Sequence, residues 1–441
     1  MEHTLGERLW EGDLDPLIDQ ICHAIEQIQK EIVGVKEPHP GLKEEYASAL
    51  KRLADIRGTP LYYPYLGSGI GKGPLVELLD GSIKYDMING IGPYFFGHSH
   101  PRLTKAVLRG ALSDTIMQGN LQQTGISLEV MEALVKLSGI EHCFLTSSGA
   151  MALENGFKMA FQKRKGAYRV LAFQGCFSGR TLTLSQVTDK ALFREGLPHT
   201  LHVDYLPFPE NQDPTDVLKL LETYLRRYPQ EHALLITELV QGEGGFRVGS
   251  KEFFTPIFER LQKEGIPILF DEVQTFGRLE KPFAFQAYGF EEFADIVTIG
   301  KLSNVCATLF KDTMKPRSGL LSQTFTGATS TLFAGLETLR MFQELPIFGP
   351  NGMNAQVFTW CEKEIKRLNL KGPFGRGSMV AFVPGNGEEE EVKQFLQRLF
   401  EKGVIAFAAG MHPTKVRMLL PAPVLEEKDI QNVFQIIEEA L

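Results

Sequence analysis

Two apolar stretches of this sequence end in side chains that could do chemistry together. Residues 266–274, IPILFDEVQ, form a short apolar run that closes with Asp271 among its last residues. Residues 294–300, ADIVTIG, are followed directly by Lys301. The carboxyl ends of parallel strands open onto one crevice of an α/β sheet, so we expect Asp271 and Lys301 to share that space. A partly desolvated lysine has a lowered pKa and can act as the free amine that attacks an aldehyde.

Two further segments could hold a phosphate group beside this pair. Ser147-Ser148-Gly149-Ala150 follows the strand-like residues HCFLT and precedes a helix-forming run that has no acid in its first turn. The free N–H groups at such a helix start suit a phosphate dianion, and Ser148 adds a hydroxyl. Thr324 lies in another candidate turn, TFTGA.

Together these groups provide what pyridoxal phosphate needs, namely an amine, a partner for the ring nitrogen and a seat for the phosphate. A carboxylate at Asp271 would keep a pyridine nitrogen protonated and so make the ring an electron sink. Each residue also has an ordinary interpretation. Lys301 could be a surface lysine, Asp271 could cap a helix or form an ion pair, and most Ser-Ser-Gly turns bind nothing.

The middle of the chain alternates short apolar runs with helical stretches, which is typical of a parallel sheet covered by helices. The predicted strands are HCFLT, YRVLAFQG, HALLITELV, IPILFDEV and ADIVTIG, and the predicted helices are 153–163, 215–227 and 251–264. Beyond residue 331 a long helix, a Gly-Pro break and further helices and strands predict a smaller α+β unit. The fold class is therefore α/β.

The chain ends are expected to complete the smaller unit. Apolar residues recur at helical spacing in residues 14–32 and again in 46–56, which predicts a helical hairpin on the surface. We interpret its apolar stripes as a core or subunit contact, and a partner-binding or regulatory role is the alternative. The predicted segments are a helical extension (1–60), the N-terminal part of the small domain (61–101), the large cofactor domain (102–335) and the C-terminal small domain (336–441).

Composition excludes several classes of function. The 441 residues carry a net charge of -8, which disfavours nucleic-acid and membrane-surface partners. No stretch approaches the roughly twenty apolar residues of a membrane span, and the N-terminus lacks a signal pattern. Five scattered cysteines suggest reduced thiols and a cytoplasmic protein. His98 and His100 have no Cys or carboxylate at ligand spacing, so no metal site is expected.

Five stretches, in this order along the chain, resemble the class III (ornithine/4-aminobutyrate/acetylornithine type) pyridoxal-phosphate aminotransferases. They are SSGAMALENGFKMA, GCFSGRTLTLS, TELVQGEGG, FDEVQTFGR and TIGK. The resemblance implies an aspartate-aminotransferase-type fold (fold type I) and a homodimer whose active sites lie at the subunit interface.

The same resemblance assigns cofactor contacts. Lys301 would be the Schiff-base lysine and Asp271 the partner of the pyridine nitrogen. Gln274 would contact the ring hydroxyl and Phe177 would cover the ring. The phosphate would be held by Ser148, Gly149 and Ala150 of one subunit and by Thr324 of the other.

Substrate contacts are implied as well. Arg417 corresponds to the arginine that takes the substrate α-carboxylate, and Arg180 to the one that grips the distal carboxylate of 2-oxoglutarate. Glu243 matches a residue that pairs with one of these arginines in relatives that accept ω-amines, and the sequence leaves open which one. Glu238, in the same TELVQGEGG stretch, is counted among the substrate-binding residues.

The chain also departs from the family pattern. It reads TFGR where the family has TGFGR, LSNVCATLF replaces a glycine-rich run after Lys301, and Met151 stands where relatives commonly have Glu. We therefore expect a divergent aminotransferase that moves an amino group from an amine or amino acid to a keto acid, with 2-oxoglutarate as the expected acceptor, by ping-pong kinetics. The alternatives are an aminomutase or racemase of the same superfamily and a non-catalytic pyridoxal-phosphate-binding interaction protein.

Overall fold

The computed structural model describes residues 4–9, 14–209 and 213–441. The predicted N-terminal extension therefore has two short parts, 1–3 and 10–13, outside the described residues. The helices are α1 (Leu5–Leu9), α2 (Asp15–Gln29), α3 (Lys43–Arg57), α4 (Pro101–Ala111), α5 (Gly125–Ser138), α6 (Gly149–Lys163), α7 (Leu182–Val187), α8 (Pro214–Arg227), α9 (Lys251–Lys263), α10 (Ala284–Tyr288), α11 (Thr329–Glu344), α12 (Met353–Arg367), α13 (Glu389–Glu401) and α14 (Glu427–Ala440).

The strands fall into one large sheet and several small ones. They are β1 (Gly67–Lys72), β2 (Leu75–Leu78), β3 (Ile83–Asp86), β4 (Met117–Gln118), β5 (His142–Thr146), β6 (Arg169–Phe173), β7 (His202–Leu206), β8 (His232–Thr237), β9 (Val240–Gln241), β10 (Arg247–Val248), β11 (Ile268–Asp271), β12 (Ile296–Ile299), β13 (Cys306–Phe310), β14 (Gly327–Ala328), β15 (Lys371–Arg376), β16 (Met379–Val383), β17 (Val404–Ile405), β18 (Phe407–Ala409) and β19 (Lys415–Leu419).

The large sheet has the strand order β5-β13-β12-β11-β8-β6-β7, with β11 at its centre. All neighbouring strands are parallel except β13, which runs antiparallel to both β12 and β5. The five strands expected from the sequence are present. β7 and β13 were not anticipated, and β13 is the segment that replaces the glycine-rich run after Lys301.

The central strand is apolar because both faces of the sheet are covered. Phe270 lies near Phe258, Phe285 and Phe290 on one face. Leu269 points to the opposite face and lies against Gly156 of α6. A Cβ at position 156 would clash with the Leu269 side chain. A parallel sheet buried on both faces needs such continuous apolar strands.

The chain ends share their small sheets. The C-terminal strand β17 pairs parallel to β3 of the N-terminal part, giving the order β1-β2-β3-β17. The other C-terminal strands form an antiparallel sheet of order β15-β16-β19-β18. This pairing supports a small domain built from both ends of the chain, and the exact domain boundaries stay predictions.

The two N-terminal helices behave differently. α2 packs on α4, burying Ile18 and Cys22, with ion pairs from Asp15 to Arg109 and from Asp19 to Lys105. α3 has no buried side chain, and Ile56 at its end is exposed. The second apolar stripe is therefore not part of the core of this chain. Among the described helices, none is both long and apolar enough to cross a membrane.

A matched pair of leucines tests this account of the core. Leu269 is 0% exposed, whereas Leu192 is 74% exposed. Leu269→Ala should destabilise the protein by about 3 to 5 kcal/mol, because it leaves a cavity between β11 and α6. Leu192→Ala should change stability by less than about 0.5 kcal/mol. Urea denaturation measures both, and equal effects would contradict the assignment of β11 to the core.

Candidate active site

Strand pairing brings the predicted acid and lysine to the same edge of the sheet. Asp271 is opposite Thr298 in the parallel pair β11–β12, and Lys301 follows three residues later. Lys301 has a positive φ of 55°, which is uncommon for a residue with a side chain and occurs at strained functional turns. The backbone N–H of Val273 donates to the Asp271 carboxylate at 3.0 Å.

Burial shapes the charges of this pair. Asp271 is 8% exposed, and burial raises its pKa to about 6, against the opposing effects of the Val273 N–H and Lys301. Burial, with a further contribution from Arg417, lowers the pKa of Lys301 to about 8, although Asp271 and two glutamates oppose the shift. Lys301 thus approaches the neutral, nucleophilic form near neutral pH.

The start of α6 lies against the Lys301 turn. Ser148 caps the helix by accepting a hydrogen bond from the Met151 N–H at 3.2 Å. A Cβ on Gly149 would come within 2.9 Å of Val273, and one on Gly300 would come within 3.1 Å of Cys306 and 3.6 Å of the Gly149 Cα. These glycines allow the helix start and the lysine turn to touch. The N–H groups of Gly149 and Ala150, which precede Met151, have no acceptor within the helix and can bind an anion.

A cavity of about 220 Å³ joins these features. Its wall contains the predicted cofactor residues Gly149, Ala150, Phe177, Asp271, Gln274 and Lys301 and the predicted substrate residues Glu238 and Glu243. Leu153, Ser178, Gly179, Gly242 and Val273 complete the wall. The Gln274 Oε1 atom is buried without a hydrogen-bond partner among the described residues. An unsatisfied polar atom in such a wall fits the predicted contact with a ring hydroxyl, so the residues present suit pyridoxal phosphate.

Glu238 forms the part of the wall beneath Phe177. Its carboxylate accepts hydrogen bonds from the backbone N–H of Phe177 at 3.0 Å and of Gly242 at 2.9 Å. Burial first, and then the nearby Asp271, raise its pKa to about 8. Both carboxylate oxygens are thus engaged in holding two loops of the cavity.

The structure identifies the arginine that Glu243 meets. The Arg417 side chain, on β19, is 0% exposed, and its Nη2 donates to Glu243 Oε1. Its Nε and Nη1 atoms are buried without a partner in the described part of the chain. Burial favours a higher pKa for Glu243, but Arg417 and Lys190 outweigh it, so the pKa is lowered. Lys190 Nζ lies 3.9 Å from the other oxygen, Oε2.

Glu243 and Phe177 also separate the site from a second cavity. That cavity, of about 190 Å³, is lined by Lys190, Asp189 and His412 among others. Sequence reasoning did not select Lys190, because it follows Thr188-Asp189 with no recognisable spacing to the other charged groups.

Four predicted residues are not part of this wall: Ser148 and Arg417, whose neighbours Gly149 and Glu243 are, and also Arg180 and Thr324. Arg180 is exposed, with its guanidinium 4.0 Å from the centre of the Phe193 ring. Thr324 is also exposed. Their assigned roles stay predictions.

The histidines considered for metal binding have other surroundings. His98 Nε2 lies 3.0 Å from Asp86 Oδ2, and its ring stacks on Tyr94. His100 is partly buried beside Phe96. Across the residues that the structure describes, no group of three or more His, Cys, Asp or Glu side chains is arranged to hold a metal ion.

Known proteins resemble this chain over most of its length. Acetylornithine aminotransferase of Archaeoglobus fulgidus is 28% identical, with 83% of this chain and 93% of that protein aligned. Alanine/serine racemase of Pyrococcus horikoshii is also 28% identical, with 93% of this chain and 92% of that protein aligned.

The fold is matched by a solved structure. The crystal structure of a Bacillus anthracis aminotransferase has a TM-score of 0.80 at 19% identity, and the match covers 90% of this chain and 98% of that one. This match confirms the predicted fold type I architecture. The family described as Aminotransferase class-III matches residues 68–441. The chain therefore belongs to the class-III aminotransferases, which use pyridoxal phosphate as their cofactor.

Proposed function

We propose that this enzyme transfers an amino group from an amino acid or ω-amine to a keto acid, with 2-oxoglutarate as the acceptor. The observation that carries the proposal is the Arg417–Glu243 ion pair beside Lys301 and Asp271. A buried arginine whose charge is neutralised by a glutamate can serve substrates with and without a carboxylate at that position.

The chain's own groups have distinct tasks. Bound pyridoxal phosphate supplies the carbonyl group that receives the amino group and the ring that accepts electrons. Lys301 Nζ, with its lowered pKa, takes a proton from the substrate carbon and returns one on the other side of the transferred nitrogen. Asp271 holds the proton on the ring nitrogen, and the N–H groups at the start of α6 bind the phosphate.

The loops around the cavity orient these groups and exclude water. Glu238 fixes the backbone at Phe177 and Gly242, which places the Phe177 ring against the cavity. Glu238 is proposed as a substrate-side residue, and its hydrogen bonds favour a positioning role there. Gln274, whose Oε1 has no hydrogen-bond partner among the described residues, is part of the same wall.

We also infer a cytoplasmic homodimer. All five cysteines are free thiols, which suits a reducing compartment. The exposed Thr324 would complete the phosphate site of the other subunit.

A racemase remains the second candidate. The Pyrococcus horikoshii alanine/serine racemase aligns with 93% of this chain, against 83% for the Archaeoglobus fulgidus aminotransferase. A racemase returns the proton to the carbon from which it came and needs no second carboxylate site. The two candidates therefore differ in the need for a diacid acceptor.

Lys301 provides the first test. Borohydride reduction of the holoenzyme followed by peptide mapping should find the pyridoxyl label on Lys301. Lys301→Ala should keep part of its cofactor affinity but lose turnover by about 10³-fold or more, because the nucleophile and the proton carrier are removed together. Lys315→Ala, at an exposed lysine, is the control and should be fully active. A label on another lysine would end the assignment.

Arg180 tests whether a diacid is the acceptor. Arg180→Ala should slow the half-reaction with 2-oxoglutarate by about 30- to 1,000-fold, the value of a charge-assisted contact to a distal carboxylate. Pyruvate lacks that carboxylate and should be affected much less. The measured quantity is the ratio of the two second-order rate constants, starting from the aminated cofactor form. An unchanged ratio would favour the racemase.

A variant of Lys190 tests which group pairs with the Glu243 carboxylate when a substrate carboxylate displaces it from Arg417. Lys190 is near enough to receive it, so Lys190→Met should reduce kcat/KM for substrates that place a carboxylate on Arg417 by about two- to fivefold, as for a partly exposed ion pair. In a Glu243→Gln background the same change should have no further effect. A full effect in both backgrounds would mean that Lys190 touches the substrate directly.

A further inference from the structure

A further cavity, which shares no lining residue with the cofactor site, lies between the N-terminal segment and the small domain. Its volume is about 510 Å³. It is bounded by residues of the N-terminal segment, of the β2–β3 region and of α13, which are Glu37, Pro38, Lys43, Tyr46, Tyr62, Tyr63, Pro64, Asp80, Lys84, Gln397, Phe400 and Glu401. The proposed amino-transfer reaction uses none of these residues.

Lys84 is the unusual member of this wall. It lies on β3 and is only 4% exposed. Its Nζ is 4.7 Å from the centre of the Phe400 ring, and no carboxylate of the described residues comes within ion-pair distance of it. Burial lowers its pKa, while Asp80, Glu37 and Glu401 act in the opposite direction. Lys84 lines the cavity, and its ammonium forms no hydrogen bond or ion pair with the described residues, so it can pair with a ligand that brings an anionic group.

The aromatic walls have little free hydrogen-bonding capacity. The Tyr46 hydroxyl donates to the Pro64 carbonyl and accepts from the Leu66 N–H. The Tyr63 hydroxyl donates to the Ala406 carbonyl at 2.8 Å, and its ring stacks on Phe400 with centres 5.1 Å apart. The rings therefore offer apolar surface for a ligand's hydrocarbon part.

The charges of the wall restrict the class of ligand. The cavity has two lysines, Lys43 and Lys84, and three acids, Glu37, Asp80 and Glu401. A simple carboxylate would meet Lys84 but also face the three acids. A simple amine would satisfy the acids but leave Lys84 unpaired. A molecule that carries both charges satisfies both sets.

We propose that this cavity binds a zwitterionic α-amino acid with an aromatic or branched apolar side chain. The carboxylate pairs with Lys84, the ammonium group lies among Glu37, Asp80 and Glu401, and the side chain packs on Tyr62, Tyr63 and Phe400. Because the wall joins the N-terminal segment to α13, the ligand links these two elements and stabilises their contact.

Isothermal titration calorimetry on borohydride-reduced holoenzyme tests the site, because reduction fixes the cofactor and blocks amino-acid exchange at the active site. L-phenylalanine or L-leucine should bind saturably with one site per chain. Phenethylamine and 3-phenylpropionate, each with one of the two charges, should bind at least tenfold more weakly than L-phenylalanine. Absence of saturable binding of both amino acids, or equal binding of a singly charged compound, would overturn the proposal.

Variants locate the binding. Lys84→Met keeps the volume and removes the charge, and it should weaken L-phenylalanine binding at least tenfold. Tyr62→Ala, at a ring that is 52% exposed, should weaken it severalfold and covers the case in which Lys84→Met does not fold. Lys366→Met is the control, since Lys366 is an exposed lysine of α12 that pairs with Glu362 and does not line this cavity, and it should bind as the wild type does. Unchanged binding in Lys84→Met or in Tyr62→Ala would place the ligand elsewhere.

Discussion

The parallel pairing of β11 with β12 is the constraint on which the rest of the site depends. It places Asp271 level with Thr298 and so sets the distance from the carboxylate to the lysine turn. The start of α6 can then approach the Lys301 turn only because Gly149 and Gly300 have no side chains. A Cβ on Gly149 would meet Val273, and one on Gly300 would meet Cys306. A methyl group at either glycine would separate the N–H groups at the start of α6 from the Lys301 amine. Sheet register and close backbone contact thus fix the geometry before any ligand binds.

This geometry concentrates charge in a dry space. Burial raises the pKa of Asp271 and of Glu238 and lowers that of Lys301, so each group is held in its charged form less firmly than in water. Such an arrangement is unfavourable for the stability of the chain alone. It would become favourable on binding a ligand that offers a cationic ring nitrogen to Asp271 and an aldehyde to Lys301. The site is therefore organised around the cofactor rather than around the fold.

Much of this arrangement could be predicted from the sequence, for identifiable reasons. Apolar runs of four to six residues ending in a charged side chain marked β11 and β12, and with them Asp271 and Lys301. β7 was missed because polar residues interrupt HVDYL, and β13 because CATLF was considered only as a departure from a glycine-rich motif. The Glu243–Arg417 ion pair could be identified only from the structure, since the two residues lie on different parts of the chain. Helical periodicity predicted α3 correctly. It did not predict that the apolar stripe of α3 lies outside the core of this chain.

The surroundings of Arg417 bear on how many substrates the site serves. A reaction with a single substrate could keep Arg417 permanently available, and a neutralising acid beside it would only compete with the substrate. Here Glu243 pairs with Arg417, and the Nε and Nη1 donors of the guanidinium have no partner within the described parts of the chain. Lys190 lies near the other oxygen of the Glu243 carboxylate. An arginine whose ion pair with a glutamate can form and break in this way suits two ligands that differ in charge and bind one after the other. That property favours a ping-pong transfer over a racemase, even though the racemase relative aligns with more of the chain.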